Sequence, residues 1–226
     1  MLFVTGDVHN DIDIKKLTTA RFAIQEDMTK EDIVVVMGDW GAIWYGNRKD
    51  NYILNWWDNK PWTTFVILGN HENWNAIEEL PTTEKFGNIV YQAGNSIFIA
   101  HSGLIYTLMG KKCLVVNGAD SHDKQWRKEN ISWWPQEQIT EKDYTRAAES
   151  LSKVDHIDYL FTHTGGSTIA ATLGFNPTPS DKWLDKIMDK IPNYDYVHFC
   201  GHYHTDRILG MNSRVLYNDI VLIEGE

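Results

Sequence analysis

The sequence predicts an α/β fold in which two β-sheets pack against each other with helices on the outside. Short apolar runs alternate with amphipathic segments toward both ends of the chain, as in proteins that mix strands and helices. The centre differs, because residues 87–119 contain strand-like runs separated by glycine-containing turns and no helical segment. No repeat, low-complexity tract or linker divides the chain, so we predict one domain over residues 1–226.

Five apolar runs are typical of buried strands. Each is short, rich in β-branched or aromatic residues, and ends in glycine or polar residues. They read MLFVTGD, DIVVVMGD, TFVILGN, HIDYLFTH and YVHFCGH. The glycine-punctuated centre over residues 87–119 predicts an antiparallel meander.

Apolar residues at helical spacing predict helices on the connections between these strands. In the last of them, Ser180 stands as an N-cap before an apolar stripe formed by Trp183, Leu184, Ile187 and Met188. The predicted helices cover residues 11–25, 50–60, 75–80, 140–154 and 180–191.

The charge balance limits the class of partner. The chain has 31 Asp and Glu residues against 21 Lys and Arg residues, a net charge of −10, and no basic block. A protein that coats duplex nucleic acid needs a broad positive surface, so the sequence disfavours that role. An enzyme that takes a small phosphorylated substrate is compatible with this charge.

The cysteines and the N-terminal stretch indicate the compartment. Cys113 and Cys200 both lie in strand-like runs, which favours core packing over a disulfide. The first residues, MLFVTGDVH, have no basic region, and their apolar stretch is too short for a signal peptide or a membrane span. We expect a cytoplasmic protein without membrane contact.

Polar side chains with metal-binding chemistry follow each predicted strand. In open α/β sheets the carboxyl ends of the strands share one edge, where ligands bind. Carboxylate, amide and imidazole groups gathered there predict a metal site. One such motif alone is typical of a turn, but five in order are not explained by turns. The residues are Asp7 and His9 in GDVH, Asp39 in GDW, Asn70 and His71 in GNHE, His163 in FTHTGG, and His202 and His204 in GHYH.

A glycine precedes the first polar residue in four of these motifs, at positions 6, 38, 69 and 201. We expect the bare backbone to let each strand bend sharply into its loop. Candidate side chains two residues apart would point the same way in an extended chain, so that one pair could serve one ion or two adjacent ions.

The motif order GDxH, GD, GNHE, TH and GHxH resembles that of the calcineurin-like metallophosphoesterases. The resemblance extends from residue 6 to residue 204. It implies a four-layer α-β-β-α sandwich of two mixed β-sheets that carries a binuclear metal centre. The compact size and the segment at residues 118–138 are most similar to small bacterial or phage-type members.

The resemblance also implies a role for each motif residue. Asp39 would bridge two divalent metal ions, and His71 would lie beside the metals and serve the leaving group of the substrate. Glu72 would either orient an imidazole or simply sit in the turn. The other ligands would be Asp7, His9 and His204 for one ion, and Asn70, His163 and His202 for the second.

Two departures from the family pattern matter. Many members continue the second motif as GDxxDRG, in which the second Asp pairs with the catalytic His and the Arg grips phosphate, whereas this chain has GDWGAIW. The proline that often follows the fourth-motif His is also absent from THTGG. The phosphate-gripping cation must then come from elsewhere.

We predict that the segment at residues 119–134 closes over the metals and that Arg127 or Lys124 contacts the substrate phosphate. Arg127 is favoured because a guanidinium can bind two phosphate oxygens at once. A solvated charged loop is the alternative for this segment.

The predicted activity is hydrolysis of a phosphomonoester or phosphodiester by metal-activated water. The ligand set lacks a thiolate, so Mn²⁺, Fe and Zn²⁺ all fit, and its many oxygens favour Mn²⁺. The alternatives are a serine/threonine-type protein phosphatase and a non-catalytic metal-binding scaffold of the same fold.

The tryptophans that follow the motifs bear on the substrate. Trp40, Trp44, Trp74 and Trp126 either wall a pocket that stacks a base or pack in the core. A nucleotide is therefore one candidate among small phosphorylated substrates.

Overall fold

A computed structural model describes residues 1–10 and 12–224. The helices are α1 (Asn51–Asp58), α2 (Trp74–Glu78), α3 (Glu141–Leu151), α4 (Gly166–Thr172) and α5 (Pro179–Met188). The strands are β1 (Leu2–Thr5), β2 (Ile33–Met37), β3 (Thr63–Ile67), β4 (Thr82–Lys85), β5 (Asn88–Gln92), β6 (Ile97–Ala100), β7 (Leu104–Leu108), β8 (Lys111–Val116), β9 (Tyr159–Thr162), β10 (Val197–Cys200), β11 (Arg207–Leu209), β12 (Ser213–Val215) and β13 (Ile220–Glu224).

The strands form two mixed sheets. The first has the order β13-β1-β2-β3-β6-β5-β4, and the second has the order β11-β12-β10-β9-β8-β7. Strands β1, β2, β3 and β6 run parallel, and so do β8, β9, β10 and β12. The remaining pairs are antiparallel.

Strand β2 shows why the fold has four layers. All of its residues are buried, because it is covered on both faces. Ile33, Val35 and Met37 belong to the core between the two sheets. Val34 and Val36 belong to the outer core, where α1 and α2 pack on the first sheet. Helices α3 and α5 cover the second sheet in the same way, which confirms the predicted sandwich.

The predicted helix over residues 11–25 is wrong. Two short 3-10 helices, Ile14–Leu17 and Ala23–Asp27, occupy this connection, and Asp11 lies outside the described residues. Between them Thr18 is extended, with φ −78° and ψ 154°, and its hydroxyl donates to a backbone carbonyl in the preceding turn. A threonine that bonds its own backbone competes with helix formation, and the apolar spacing could not reveal this.

The other predicted helices form, as α1, α2, α3 and α5. However, the N-cap of α5 is Thr178 and not Ser180. The Thr178 side chain and Asp181 make a reciprocal capping box, and Pro179 occupies the first helical position. The Ser180 hydroxyl instead accepts the backbone N–H of Ile139 at 3.0 Å.

The predicted meander is divided between the two sheets. Strands β5 and β6 lie in the first sheet and β7 and β8 in the second, so the chain crosses from one sheet to the other at residues 101–103. Gly103 makes this turn with φ +77°, a conformation that favours glycine. No pattern in the sequence predicted α4, β4 or the three C-terminal strands.

Two further predictions concern composition and compartment. Cys113 and Cys200 are both free and buried, as predicted. In the part of the chain that the structure describes, no helix has the length and apolar character needed to cross a membrane.

The capping box of α5 predicts a stability change. Thr178→Ala removes the side chain that accepts the Asp181 N–H, so the free energy of unfolding should fall by about 0.5–2 kcal/mol. Urea denaturation measures this. Thr172→Ala is a matched control near the end of α4, where the exposed hydroxyl bonds only within its own helix, and its effect should stay within about 0.5 kcal/mol. Equal stability of the two variants would contradict the role of the cap.

Candidate metal centre

Four of the predicted ligands form a tight cluster at the carboxyl ends of β1, β2 and β10. Asp7, His9, Asp39 and His204 each offer one ligand atom, and these atoms lie within 4.8 Å of one another. His9 Nε2 is 3.2 Å from Asp39 Oδ2, and His204 Nε2 is 3.3 Å from Asp7 Oδ2. The two carboxylates are buried, whereas 53% of the His204 side chain is exposed. The cluster is therefore anchored in the interior and open to solvent on one side.

A second group of donors lies on the other side of Asp39. His163 Nε2 is 3.2 Å from Asp39 Oδ1 and 3.2 Å from Asn70 Oδ1. The ring of His202 meets the ring of His163 edge to face, with centroids 4.9 Å apart. The structure thus brings all seven predicted ligands together, and the two oxygens of Asp39 face different groups.

The outer nitrogens of two imidazoles are occupied by protein acceptors. His9 Nδ1 lies 2.8 Å from Asp13 Oδ2, and His163 Nδ1 lies 2.7 Å from the carbonyl oxygen of Met37. Each Nδ1 can donate its proton outward, which leaves the Nε2 lone pair directed at the centre. Asp13 was missed by sequence reasoning, because an isolated Asp in a connection carries no signal of its own.

The backbone at the centre is strained. His9, Asp39, His202 and His204 all have positive φ, between 46° and 69°. Non-glycine residues adopt this conformation at a cost of about 1–3 kcal/mol each, and such residues concentrate at functional sites. The expectation that the paired residues of GDVH and GHYH lie in extended chain is therefore wrong.

The motif glycines make room for ligand side chains. A Cβ on Gly69 would lie 2.2 Å from Asp39 Oδ1, and one on Gly201 would lie 2.2 Å from Asp7 Oδ1. Neither of these glycines has positive φ. Close approach, and not a sharp bend, explains why glycine is needed at these two positions.

The pKa values in the cluster show a strong mutual attraction between its acids and bases. Burial would raise the pKa of Asp39, but the charge of His163 and hydrogen bonds from His163 and His9 hold it well below its usual range. Burial would lower the pKa of His9 and of His163, but Asp39 raises both to about 9. The pKa of Asp7 is raised, and burial of its carboxyl is the largest cause. Protons and metal ions would compete for these same nitrogens.

The donor set fits a divalent cation. Asp7 Oδ2 is buried without a hydrogen-bond partner among the described residues, although His204 Nε2 lies 3.3 Å away. Carboxylate, amide and imidazole atoms converge without a thiolate, since both cysteines are buried elsewhere. A cation at this point would satisfy an oxygen that the protein leaves unpaired.

His71 lies beside the cluster. Its backbone N–H donates to Asp39 Oδ1 at 2.8 Å, and its ring stacks on Trp44 with centroids 6.3 Å apart. Burial lowers the pKa of His71, and the positive charge of Arg127 adds to this effect against the pull of Asp39. The adjacent Glu72 is fully buried and accepts the backbone N–H groups of residues 40 and 41, so it joins two motif loops and orients no imidazole.

The segment at residues 119–134 reaches the centre through several side chains. Ser121 Oγ accepts from the Asn70 amide at 3.3 Å, the ring of His122 stacks on that of His202, and Arg127 is the cation that reaches His71. Arg127 Nη2 lies 2.8 Å from His71 Nε2, and Nη1 donates to the carbonyl oxygen of Asn70 at 3.2 Å. Lys124 points elsewhere, with its Nζ 3.8 Å from the centroid of the Trp133 ring. Contact with a substrate phosphate stays a prediction for both residues.

Aromatic rings surround the donors, and most were not predicted. His122 stacks between the ring of His202, at 5.3 Å, and that of Phe175, at 5.7 Å. The ring of Tyr217 stacks on His204 at 4.8 Å. Of the four tryptophans considered from the sequence, residues 40 and 74 are buried in the core, residue 44 stacks on His71, and residue 126 is 83% exposed.

Comparison with known proteins agrees with the motif order. One similar solved structure is that of a protein of unknown function from Aquifex aeolicus, which is 16% identical with a TM-score of 0.35, over 82% of this chain and 92% of that chain. A comparison with curated proteins found no match. The model of the calcineurin-like phosphoesterase family matches residues 2–206. Because the match covers most of the chain, this protein belongs to the calcineurin-like phosphoesterase family.

Proposed function

We propose that this protein is a phosphoesterase that uses two divalent metal ions to hydrolyse a phosphomonoester or phosphodiester. The observation that carries the proposal is the position of Asp39, whose two carboxylate oxygens face two separate groups of nitrogen and oxygen donors. A bridging carboxylate is the arrangement expected for a two-metal site.

The residues divide into two metal positions. Asp7, His9 and His204 would hold one ion together with Asp39. Asn70, His163 and His202 would hold the other ion from the opposite side of Asp39. Oxygen and imidazole donors accept Mn²⁺, Fe or Zn²⁺, and the oxygen content favours Mn²⁺. When bound, the ions would supply the positive charge that attracts a phosphate and the acidity that activates water.

Residues of the chain itself would orient the metal-binding imidazoles and supply a proton to the leaving oxygen. Asp13 and the carbonyl of Met37 hold the ligand imidazoles in the tautomer that turns Nε2 inward. The His71 ring meets the ring of His9 edge to face, with centroids 5.1 Å apart, but His71 is not one of the predicted ligands, which leaves its imidazole for the substrate. We assign it the role of stabilising or protonating the leaving oxygen, a task suited to histidine.

The surroundings favour a small phosphorylated substrate, with a nucleotide as one candidate. The protein carries a net charge of −10, so attraction of a phosphate must be local to the metal centre. Two exposed rings, Phe175, which stacks on His122, and Trp126, which precedes Arg127 in the chain, offer surface on which a planar base could stack.

Hydrolysis of two model esters tests the proposal. Chelator-treated protein supplied with Mn²⁺ should release p-nitrophenolate from bis-p-nitrophenyl phosphate, from p-nitrophenyl phosphate, or from both, and the ratio gives the diester or monoester preference. The same protein without added metal is the control. No release with Mn²⁺, Fe²⁺ or Zn²⁺ would favour the scaffold, whereas activity on phosphoserine peptides alone would favour the protein phosphatase.

Asp39→Asn should weaken both metal positions at once. The amide has lost the negative charge that both groups of donors share, so the variant should retain fewer than two ions and lose activity. Elemental analysis of the purified protein measures the ions per chain. Asp27→Asn removes the same charge from an exposed residue and should keep wild-type metal content. Two tightly held ions in Asp39→Asn would rule out the bridging role.

His71→Gln should leave both ions bound but lower turnover by about 10²–10⁴-fold, the usual contribution of a general acid. The loss should be smaller for p-nitrophenyl esters, whose leaving group needs no proton, than for alkyl esters. Turnover with both ester types, together with metal content, measures this. His156→Gln changes an exposed histidine that pairs with Asp155, and it should behave as wild type. An equal loss on both ester types would indicate phosphate binding instead.

A further inference from the structure

Arg127 is the inward-facing residue of an otherwise exposed stretch. Residues 122–126 and 128–130 are exposed, but only 9% of the Arg127 side chain is. Burying a guanidinium is unfavourable unless its donors are bonded. A specific set of acceptors must therefore hold this side chain in place.

Those acceptors surround the guanidinium. Nε pairs with Asp123 Oδ1 at 2.7 Å, one helical turn earlier in the chain. Nη1 donates to the carbonyl oxygens of Asn70, at 3.2 Å, and Ser132, at 3.4 Å. Nη2 lies 2.8 Å from His71 Nε2. The arginine is thus fixed at one end by its own segment and at the other by the loop that carries His71.

The contact with His71 fixes the tautomer of that ring. A guanidinium has only donors, so at 2.8 Å His71 Nε2 must accept, and the ring proton must be on Nδ1. Trp44 packs against the face of the same ring, with an interplanar angle of 25°. Because Trp44 contacts the face of the ring and Arg127 contacts its edge, the imidazole is held in one orientation.

We propose that Arg127, held by Asp123, is the positioning residue for His71. The pair does the orienting work for which the GDWGAIW motif lacks a second acidic residue, and it does so by donating a hydrogen bond to the imidazole. This assignment differs from a contact with the substrate phosphate. Its kinetic consequences rest on the proposed function, but its effect on the His71 ring does not.

Kinetics of Arg127→Ala give the first test. Loss of an orienting partner should lower kcat by about 10–100-fold with little change in KM, the size expected when a residue that orients a site group is removed. Added guanidinium chloride at millimolar concentration should restore part of the lost kcat. Lys128→Ala removes the neighbouring exposed cation and should have near-wild-type kinetics with no response to guanidinium. A rise in KM at unchanged kcat would overturn the proposal in favour of phosphate binding.

Asp123→Asn tests whether Asp123 holds Arg127 in place. Among the described residues, Asp123 contacts Arg127 and no predicted metal ligand, so a fall in kcat that does not add to that of Arg127→Ala in the double variant acts through the arginine. The fall should be smaller than that of Arg127→Ala, because the other acceptors remain. Glu129→Gln neutralises an exposed acid in the same segment and should leave kcat unchanged. Equal kcat in Asp123→Asn and Glu129→Gln would overturn the anchoring role of Asp123.

The state of the His71 ring can be read without activity. In metal-free protein with ¹⁵N-labelled histidine, NMR should show His71 Nε2 unprotonated in wild type. In Arg127→Ala the proton should redistribute onto Nε2, and the Lys128→Ala spectrum should match wild type. Thermal melting confirms that each variant is folded. An unchanged His71 tautomer in folded Arg127→Ala overturns the inference even if the protein is an active phosphoesterase, whereas a changed tautomer in a protein that hydrolyses no ester refutes only the proposed function.

Discussion

The candidate metal centre depends on the interactions of one buried group, the carboxylate of Asp39. Its Oδ1 faces His163 and accepts the backbone N–H of His71, while its Oδ2 faces His9. A carboxylate removed from water costs several kcal/mol unless it is bonded or paired, so its neighbours cannot be arranged freely. The loops after β1, β3 and β9 converge on this one group, and their backbone geometry follows from that convergence.

Close packing around the carboxylates accounts for both the glycines and the strain. Asp39 Oδ1 lies 2.2 Å from where a Cβ of Gly69 would be, so a side chain at position 69 would push the Asp39 carboxylate out of place. Asp39 itself, like His9, His202 and His204 among the predicted ligands, has positive φ. The parallel strands behind these loops are buried on both faces, and their hydrophobic burial offsets this cost.

The sequence was most informative where a pattern is local. The continuous apolar run of β2 predicts a buried strand, and the order of polar motifs predicts which side chains meet. It was least informative where a distant contact decides. Ser180 resembles a helix cap, but its hydroxyl accepts the backbone N–H of Ile139, and His122 matters only because the fold brings it to His202. No window of sequence contains such pairs.

The segment at residues 119–134 could be predicted in part from a local pattern and in part depends on a distant contact. The absence of an arginine from the second motif indicated that a cation should come from elsewhere, and Arg127 does reach the centre. The composition of the segment could not predict which atom Arg127 contacts. The contacts give a reason for the outcome: Asp123 pairs with the guanidinium, and the carbonyl oxygens of Asn70 and Ser132 accept its hydrogen bonds. The imidazole of His71 is a further acceptor within reach, so the arginine does the orienting work of the acidic residue that the second motif lacks, by fixing the ring beside it.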